Sequence, residues 1–205
     1  MGMAHAACQS RYLAKYLNVM RYADLDFSAS SVQVARQLIG AWLLVDGVGG
    51  RIVETEAYDA SDPASHSFAG PTDRNAAMFG PPGHAYVYRA YGLHWCLNFV
   101  CREPGHGAGV LIRALEPQAG LVHMQTRRGL QDLGRLCKGP GCVGQALGIT
   151  RAHNGMSLTA SPFELRPAEQ HVRVVTGLRI GISKAVSQPW RFGLAGSPFV
   201  SRPFA

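Results

Sequence analysis

The strongest constraint on the fold is a pair of aromatic and β-branched runs that are separated by a short turn. The first run covers residues 86 to 88, the second covers residues 94 to 100, and a glycine-containing turn over residues 90 to 93 joins them. Two such runs around a short turn are typical of an antiparallel β-hairpin. The pattern therefore predicts an antiparallel sheet, with the Tyr91 ring at or beside the tip of the hairpin.

Other segments supply helices and strands around this hairpin. Apolar residues from Val32 to Ile39 follow helical spacing after Ser30 or Ser31, and residues 59 to 83 form a loop rich in Pro, Gly, Ser and Asp. A short apolar run covers 42–45, and the remaining patterns predict a turn over 46–50, a helix over 118–136, and a glycine-rich turn and short helix over 136–148. Strands are predicted over 51–58, 110–115, 158–165, 171–176 and 192–194. Because no internal repeat or heptad is present, we expect one α+β domain over 28–205, with residues 1–27 as an N-terminal extension.

Composition narrows the class of protein. The 205 residues are 47% hydrophobic and 16% charged, which is too apolar for a disordered chain. No run approaches the roughly 18 apolar residues of a membrane-spanning helix, so we expect no integral membrane protein. The first 23 residues lack the apolar core of a secretory signal, and a mitochondrial transit peptide stays open although serine is scarce there. Five scattered cysteines, an odd number, favour a reducing compartment.

Positive charge is concentrated in the C-terminal half of the chain. Residues 1 to 100 carry seven Lys and Arg against eight Asp and Glu, whereas residues 101 to 205 carry thirteen against five. Seventeen of the twenty cations are arginine, which suits forked recognition of phosphate, although a GC-rich genome would produce the same bias. The C-terminal half is therefore where we expect a polyanion such as nucleic acid to bind.

A strand with two carboxylates is the first candidate site. In residues 51 to 58, strand alternation places Glu54, Glu56 and Tyr58 on one face and apolar residues on the other. If that face meets water, the two acids are ordinary solvated charges, and spacing alone favours this interpretation. If the face lines a pocket, burial and mutual repulsion would raise the pKa of one acid and prepare it to accept a proton from water.

The hairpin is the second candidate site. The Tyr91 ring either folds back over its own turn or projects as a wedge that enters a base stack and replaces an extruded base. In the second case, Tyr58, His66 and Tyr88 would offer flat surfaces on which that base stacks. Asn98 lies in register on the partner strand of the hairpin.

Weaker patterns are interpreted as structural. Gly139-Pro140-Gly141 precedes a short helix, where backbone amides can receive a phosphate, although such a turn usually has no ligand. Two C-x4-C pairs, at residues 96 and 101 and at residues 137 and 142, lack the spacing of a usual zinc knuckle, so we expect core cysteines and no metal. None of the three lysines lies in the segments that carry the acids and aromatic rings, which favours direct attack by water over a Schiff base.

Many separate short motifs occur in order across roughly residues 28 to 202. They are Val53-Glu54-Thr55-Glu56-Ala57-Tyr58, Ala64-Ser65-His66-Ser67, Thr72-Asp73-Arg74-Asn75, Met78-Phe79, Tyr86-Val87-Tyr88, Tyr91-Gly92, Cys96-Leu97-Asn98, Arg113-Ala114-Leu115-Glu116-Pro117, Gly139-Pro140-Gly141, Gln145-Ala146-Leu147-Gly148, Trp190-Arg191-Phe192 and Gly196-Ser197-Pro198-Phe199-Val200. In residues and order, these motifs resemble the alkyladenine (3-methylpurine) DNA glycosylase family.

The resemblance implies a fold and a reaction. The fold would be a single mixed domain with a curved antiparallel sheet, surrounding helices and a protruding hairpin that intercalates into DNA from the minor groove. The reaction would be monofunctional: a damaged purine such as 3-methyladenine, 7-methylguanine, hypoxanthine or ethenoadenine is flipped out of duplex DNA, and water hydrolyses its N-glycosidic bond without a cofactor. Departure of the purine leaves an oxocarbenium-like sugar, which a nearby carboxylate stabilises while it orients the water.

Motif matching also implies roles for individual residues. Glu56 would be the general base that activates the water, and Arg113 would help to hold that water. Tyr91 would be the intercalating plug, and Asn98 would stand where the exocyclic amino group of a normal guanine would clash. The other base-pocket residues would be Tyr58, His66, Tyr88 and Ser197, and the contacts to the DNA backbone would be Arg74, Leu93, His94, Lys138, Gly139, Gly141 and Arg191.

Departures from the family pattern and competing hypotheses stay open. Cys142 and Val143 stand where the family has a basic residue after Gly-Pro-Gly, and His94 is unusual after the plug. Glu54 is interpreted as a support for the sheet or pocket. A noncatalytic module that holds damaged DNA, or a small-substrate hydrolase or transferase with a Glu54–Glu56 pair, would use the same residues. The expected partner is double-stranded DNA with damaged purines, and the protein is expected to be a monomer without membrane contact. The expected compartment is the cytoplasm, at the nucleoid, if the protein is bacterial, and the nucleus if it is eukaryotic.

Overall fold

Strands dominate the part of the chain that the structure describes, residues 25 to 204 of a computed structural model. Its eight strands are β1 (Trp42–Val45), β2 (Val48–Tyr58), β3 (Ala85–Ala90), β4 (His94–Cys101), β5 (Ala108–Ala119), β6 (Phe163–Arg166), β7 (Val174–Gly177) and β8 (Arg191–Leu194). Its four α-helices are α1 (Ser31–Gln37), α2 (Leu121–Arg128), α3 (Leu133–Leu136) and α4 (Pro140–Leu147), and 3-10 turns cover Ala76–Phe79 and Arg151–His153. The predicted combination of helices with an antiparallel sheet is confirmed.

The strands pair antiparallel throughout one curled sheet. The strand order is β3-β4-β5-β2-β1-β6, and β8 pairs with both β2 and β7. Strand β2 therefore has three partners: β5 along one edge, β1 beside its first residues, and β8 beside residues 54 to 56. Because β8 takes the edge of β2 that β1 leaves free, the sheet curls into a half-barrel.

The core lies between this sheet and helices α1 and α4. A capping box between Ser30 and Gln33 begins α1, and the buried Val34 and Ala35 of that helix pack in the core. Helix α4 approaches β4 so closely that a Cβ atom on Gly144 would lie 1.9 Å from the Trp95 carbonyl oxygen. The hairpin is therefore held against α4 close to its turn.

The predicted hairpin is formed by β3 and β4. Tyr86 lies opposite Asn98 and Tyr88 opposite Cys96, as the expected register requires. Tyr91 and Gly92 form the turn with φ angles of 52° and 68°. Glycine adopts this left-handed conformation freely, whereas a tyrosine rarely does. The hairpin itself is confirmed, and its insertion into DNA stays a proposal.

The predicted turn over 46–50 is too long, because β2 already begins at Val48. Gly49 and Gly50 lie inside the strand, where an added Cβ atom would stand 1.9 Å and 2.0 Å, respectively, from a carbonyl oxygen of a neighbouring strand. These glycines permit close approach of the strands rather than forming the turn.

The predicted helix over 118–136 is divided into α2 and α3. Gly129, at a φ of 64°, ends α2, and the Asp132 side chain accepts the Gly134 amide at 2.9 Å to begin α3. Strands β6 and β7 begin later than the predicted 158–165 and 171–176.

The N-terminal boundary is only partly within the described residues. Leu25 and Phe27 are buried in the core, and the Phe27 ring packs edge to face on the Phe99 ring with ring centroids 6.2 Å apart. Residues 1 to 24 lie outside the described part, so the extension over 1–27 and the open transit peptide stay predictions. Between residues 25 and 204, none of the helices has the length and apolar character needed to cross a membrane.

Candidate active site

A cavity of about 1130 Å³ opens between the hairpin, the loop over residues 59–83 and the segment over residues 180–184. The residues of its lining that matter most below are Tyr58, His66, Tyr88, Asn98, Arg113 and Ile180. The acidic strand, the hairpin and the long loop that the sequence singled out therefore meet at one place.

Glu56 lies directly behind the wall of this cavity and has no exposed surface. Its Oε2 atom accepts hydrogen bonds from the Tyr58 hydroxyl (2.8 Å) and from Arg113 Nη1 (3.1 Å), and its Oε1 atom accepts the Ile180 amide (2.7 Å). All three partners line the cavity. Because an ionised carboxylate accepts about four hydrogen bonds, one acceptor position remains, on Oε1.

Glu54 is equally buried but belongs to an ion-pair network behind the cavity wall. Its Oε1 atom accepts Arg113 Nε (2.9 Å), Arg191 Nε (2.8 Å) and the Ser201 hydroxyl (2.8 Å), and the Ser201 amide donates to Oε2. The interpretation of the two acids as solvated charges is therefore wrong. The contacts of Glu54 agree with its expected supporting position.

Arg113 joins the two acids. Besides its bonds to Glu54 and Glu56, its Nη2 atom donates to the Ser201 hydroxyl at 3.3 Å, and the side chain is only 7% exposed. A planar guanidinium fixes two carboxylates in one geometry. Removing this charge would leave the buried Glu56 without a counter-ion, whereas Glu54 would keep Arg191, and breaking one buried pair costs about 3–5 kcal/mol.

The two acids have opposite pKa shifts. Burial raises the pKa of Glu56, and the interactions with Arg113, Ile180 and Tyr58 offset only part of that effect. Burial acts on Glu54 in the same direction, but Arg113 and its other hydrogen-bond donors outweigh it, so the pKa of Glu54 lies below its ordinary value. Glu56 is therefore the acid of the pair with the higher proton affinity, as a general base requires.

Aromatic rings form one side of the cavity. His66 packs edge to face on Tyr88 with ring centroids 4.5 Å apart, and its Nδ1 atom lies 3.0 Å from the Tyr86 hydroxyl. Desolvation and the nearby Arg74 charge lower the pKa of His66, while burial raises the pKa of Tyr86 to about 12. Because His66 and Tyr88 are too close for a base to enter between them, they form one wall, and Tyr58 is a separate flat surface.

Of two predicted pocket residues, Asn98 lines the cavity and Ser197 does not. Asn98 is 6% exposed, lines the cavity and donates its side-chain amide to the Tyr86 carbonyl at 3.1 Å. The structure does not bring Ser197 to this cavity. Ser197 lies half-buried at a second cavity of about 410 Å³, beside Lys138, where its hydroxyl accepts the Phe199 amide at 3.3 Å.

The hairpin tip projects into solvent. Tyr91 is 89% exposed and Leu93 is 72% exposed, and Tyr91 also borders the mouth of the cavity. The alternative in which the Tyr91 ring folds back over its turn is therefore wrong. The tip presents two large apolar side chains on either side of Gly92.

Most of the residues expected to contact the DNA backbone lie near this tip or at the start of α4. Arg74 is exposed at the mouth of the cavity. His94 packs on Gly141, where an added Cβ atom would lie 2.9 Å from the imidazole ring. Gly139 immediately precedes α4 with a φ of 121°, and Lys138 is exposed. The end of the hairpin and the start of α4 therefore form one continuous surface.

Arg191 does not belong to that surface. It is 4% exposed, its Nε atom donates to Glu54, and its guanidinium lies 3.9 Å from the centroid of the Phe204 ring. Its Nη2 atom donates to the Arg202 carbonyl. The expectation of a contact with the DNA backbone is corrected, because this guanidinium is enclosed by the core and the C-terminal segment.

A cation from α2 stands beside the position where the family pattern has a basic residue. Arg128 Nη2 lies 3.2 Å from Cys142 Sγ, and Nη1 donates to the Gln145 side chain.

Among residues 25 to 204, no three His, Cys, Asp or Glu side chains gather as a metal site would require.

Comparison with known protein sequences assigns the chain to a family. The model of the methylpurine-DNA glycosylase family matches residues 25 to 198. A protein of Nitrosospira multiformis is 70% identical over 185 residues, which cover 90% of this chain and 96% of the relative. A protein of Rhodopseudomonas palustris strain BisB18 is 60% identical, covering 87% and 90%, and one of Rhizobium meliloti strain 1021 is 60% identical, covering 89% and 97%. All three carry the provisional name 3-methyladenine DNA glycosylase.

The chain belongs to the methylpurine-DNA glycosylase family. The resemblance inferred from the motifs is therefore confirmed, and the protein is a DNA glycosylase, a hydrolase that acts on DNA.

Sequence patterns missed four residues of this glycosylase: Ile180 and Lys184 line the cavity, and Asp62 and Arg179 are buried next to Ile180 and β2. Asp62 and Arg179 form a fully buried ion pair, and the next residue, Ile180, contacts Glu56. The Ile180 contact spans 124 positions along the chain, so no local pattern indicates it. Lys184 also lines the cavity, which corrects the inference that no lysine lies close to the acids and rings.

Proposed function

We propose that this glycosylase flips a damaged purine out of duplex DNA into the cavity and hydrolyses its N-glycosidic bond with a water molecule that Glu56 activates. The product is an abasic site together with the free base. Hydrolysis by water alone makes the enzyme monofunctional, with no covalent bond to the DNA and no cofactor. The substrate class comprises alkylated, deaminated and etheno purines.

The observation that carries this proposal is the position of Glu56. A carboxylate with a raised pKa lies immediately behind an aromatic cavity large enough for a purine. In that position it accepts a proton from water, and its charge stabilises the oxocarbenium-like sugar as the base leaves. Arg113 keeps the acid in one orientation through its bond to Oε2.

Access of the water depends on the partners of Glu56. Because the acid has no exposed surface, water reaches it when the Tyr58 hydroxyl gives up its bond to Oε2, while Ile180 and Arg113 keep theirs. Catalytic hydrogen bonds commonly reach their working geometry only in the complex with substrate. Since Tyr58 belongs to the cavity wall, a base that enters the cavity touches the side chain whose hydroxyl must give way.

The aromatic walls select and hold the base. Tyr58 offers one flat surface, and the edge-to-face pair of His66 and Tyr88 offers another. Asn98, held by its bond to the Tyr86 carbonyl, stands where the exocyclic amino group of a normal guanine would clash. Cationic alkylated bases leave readily, so lesions that stay neutral depend more on protonation of the leaving base.

The hairpin and the mouth of the cavity engage the duplex. Tyr91 fills the gap that the flipped nucleotide leaves, which offsets part of the few kcal/mol that extrusion costs. Arg74 and Lys184 are exposed residues of the cavity lining, and His94, Gly139 and Gly141 form the adjoining surface for phosphates at the start of α4. The exposed Leu93 and Lys138 extend the contact. One protein copy suffices for this contact, so the enzyme acts as a monomer, and its bacterial relatives favour the nucleoid as its place of action.

A panel of duplexes tests the proposal. Each duplex carries one lesion, among them hypoxanthine, ethenoadenine, 7-methylguanine and 3-methyladenine, and an undamaged duplex is the control. We expect release of the free base from at least one lesion, with strands that break only after alkaline treatment. Binding without base release at enzyme excess for every lesion would instead favour the noncatalytic module. Strand breaks before alkali, or trapping of the protein on DNA by borohydride, would contradict the monofunctional reaction and point to Lys184.

A further inference from the structure

The Arg179–Asp62 pair is the most completely buried ion pair outside the two acids and Arg113 in the described chain. Both side chains have no exposed surface. Arg179 Nη2 donates to Asp62 Oδ1 at 3.0 Å, and Nη1 donates to Oδ2, so the contact is a fork against a carboxylate. The pair links the loop that follows β2 to the segment that precedes β8, 117 residues later.

Arg179 also contacts strand β2 between the two residues that the reaction uses. Its Nη1 atom donates to the carbonyl of Ala57, which lies between Glu56 and Tyr58. Its guanidinium carbon lies 4.7 Å from the centroid of the Tyr58 ring and 5.3 Å from that of Trp190. One face of Tyr58 is thus covered by a fixed cation.

The residue after Arg179 contacts the acid itself. The Ile180 amide donates to Glu56 Oε1 at 2.7 Å, and this bond comes from a segment with no regular secondary structure. A segment of that kind keeps one geometry only when other contacts fix it. Arg179 supplies those contacts one residue away, through Asp62, the Ala57 carbonyl and the Gln188 side chain.

We propose that the Arg179–Asp62 pair positions the active site of this glycosylase: it clamps the segment around residue 180 onto β2, so that the Ile180 amide stays on Glu56 and the Tyr58 ring stays in the cavity wall. This inference rests on the proposed function of Glu56. Arg179 is a positioning residue, since it does not line the cavity and acts through Ile180 and Tyr58. A purely structural ion pair elsewhere in the core would not be adjacent to a residue such as Ile180, whose amide donates to Glu56.

The clamp has a specific consequence for the pH profile. The groups that face Glu56 are Arg113 from β5, Glu54 and Tyr58 from β2, and the Ile180 amide. The Ile180 amide lowers the Glu56 pKa, so loss of this bond raises that pKa further. A loosened clamp therefore shifts the acid limb of the rate profile to higher pH, in addition to lowering the rate.

The test compares Arg179→Lys and Asp62→Asn with the wild-type enzyme. Lysine keeps the charge but loses the fork and the flat stacking surface, and asparagine keeps the shape but loses the charge. We expect single-turnover base release to fall by about 10- to 100-fold, as for other partners that orient a reacting group. Affinity for the same duplex should change far less, and the acid limb should move to higher pH.

A matched control separates positioning from general destabilisation. Thr55 lies on the same strand, and its hydroxyl donates to the Ala35 carbonyl of α1 at 2.9 Å, on the buried side away from the pair. Thr55→Val should lower the melting temperature while leaving the acid limb of the rate profile in place. A shift of that limb in Thr55→Val as large as that in Asp62→Asn would overturn the assignment.

Amide hydrogen exchange at Ile180 gives a measurement that does not depend on activity. We expect the Ile180 amide to lose protection in Asp62→Asn, while the amides of β4 keep theirs. Unchanged protection, or a wild-type rate and pH limb in both variants, would overturn the proposal while the proposed function stands. If Arg179→Lys fails to fold, Asp62→Asn alone decides between these outcomes. Absence of base release by the wild-type enzyme would reject the proposed function instead.

Discussion

The inner wall of the cavity and the tip of the hairpin are built in opposite ways. At the inner wall, Glu56 and Arg113 are almost fully buried, and each is held by several hydrogen bonds from distant parts of the chain. At the tip, Tyr91 is 89% exposed in a left-handed backbone conformation, and the residues that support it are its immediate neighbours in one hairpin.

This difference separates two kinds of contribution to the reaction. Buried charges interact strongly because little water screens them, so changes at the inner wall affect both the rate and the free energy of unfolding. An exposed ring stabilises little in the free protein and acts when DNA covers it. Variants at the inner wall and at the tip should therefore fail in different assays.

Glu56→Gln should give the largest effect. The amide has nearly the shape of the carboxylate but accepts no proton from water, so we expect single-turnover base release to fall by about 10²- to 10⁴-fold. Affinity for a lesion duplex should stay within a few-fold of wild type, because the tip is unchanged. Rates are measured at enzyme excess, and affinity by titration of the same duplex.

Glu164→Gln is the matched control for that substitution. Glu164 lies on the edge strand β6 and pairs with Arg166 at the surface, where both side chains are more than half exposed. We expect its base release to equal that of the wild type. Equal base release by Glu56→Gln and Glu164→Gln would show that the general base is another group. The chemical step would then not depend on the inner wall of the cavity.

Tyr91→Asn should give the next largest effect, and only on binding and flipping. Asparagine tolerates a positive φ but removes the ring, so the fold is preserved while the wedge is lost. Because stacking of an aromatic side chain on a base contributes about 1–3 kcal/mol, we expect affinity for a duplex with a flipped-base analogue to fall by roughly 5- to 150-fold. Tyr91→Phe keeps the ring and should bind like the wild type, and the melting temperatures of both variants should match it.

Equal affinity of Tyr91→Asn and Tyr91→Phe for the analogue would reject the wedge. A large loss of melting temperature in Tyr91→Asn would show that the tip has a structural role in the free protein, which its exposure argues against.

The hairpin and the inner wall also differ in how far the sequence predicts them. The register that places Asn98 opposite Tyr86 follows from a short turn and strand alternation, and it is confirmed. The bonds that fix the acids do not follow from local patterns: Glu54 meets Arg191 across 137 positions and Glu56 meets Ile180 across 124. Spacing alone therefore favoured solvated acids, because it contains no information on what packs over the strand.

Charge composition does not locate the surface proposed for DNA, for the same reason. The basic C-terminal half contains Arg113, Arg179 and Arg191, but all three guanidinium groups are buried against carboxylates. Arg127 and Arg128 donate to carbonyls of the neighbouring helices. Net charge counts these residues as if they faced solvent, whereas the fold uses three of them to balance buried acids and two to bind carbonyl groups of helices.

The pH profile should sharpen the account of the inner wall. Glu56 acts as a base only when ionised, so the rate rises with pH as it loses its proton. Because burial raises the pKa of Glu56, the midpoint of this acid limb should lie above the ordinary value of 4.5, and below the midpoint the rate should fall about tenfold per pH unit. Single-turnover release of 7-methylguanine at constant ionic strength measures the limb, since this cationic base leaves without further protonation.

An acid limb that persists in Glu56→Gln would assign the titration to a group other than Glu56. A midpoint at or below 4.5 would contradict the combination of burial and incomplete compensation by Arg113.

Lys184→Gln should give the smallest effect, at the mouth of the cavity between the two regions. Lys184 is exposed there, and no pattern in the sequence indicated it. If it contacts one phosphate, its loss should weaken binding a few-fold for damaged and undamaged duplexes alike, and the slope of log affinity against log salt should decrease by about 0.9. Arg166→Gln, at a surface ion pair on the edge strand β6, should leave the slope unchanged. An unchanged slope in Lys184→Gln would show that Lys184 does not contact a phosphate. Arg74, also exposed at the mouth, would then be the next residue to test. A flipped nucleotide brings its flanking phosphates to that opening whichever cation binds them.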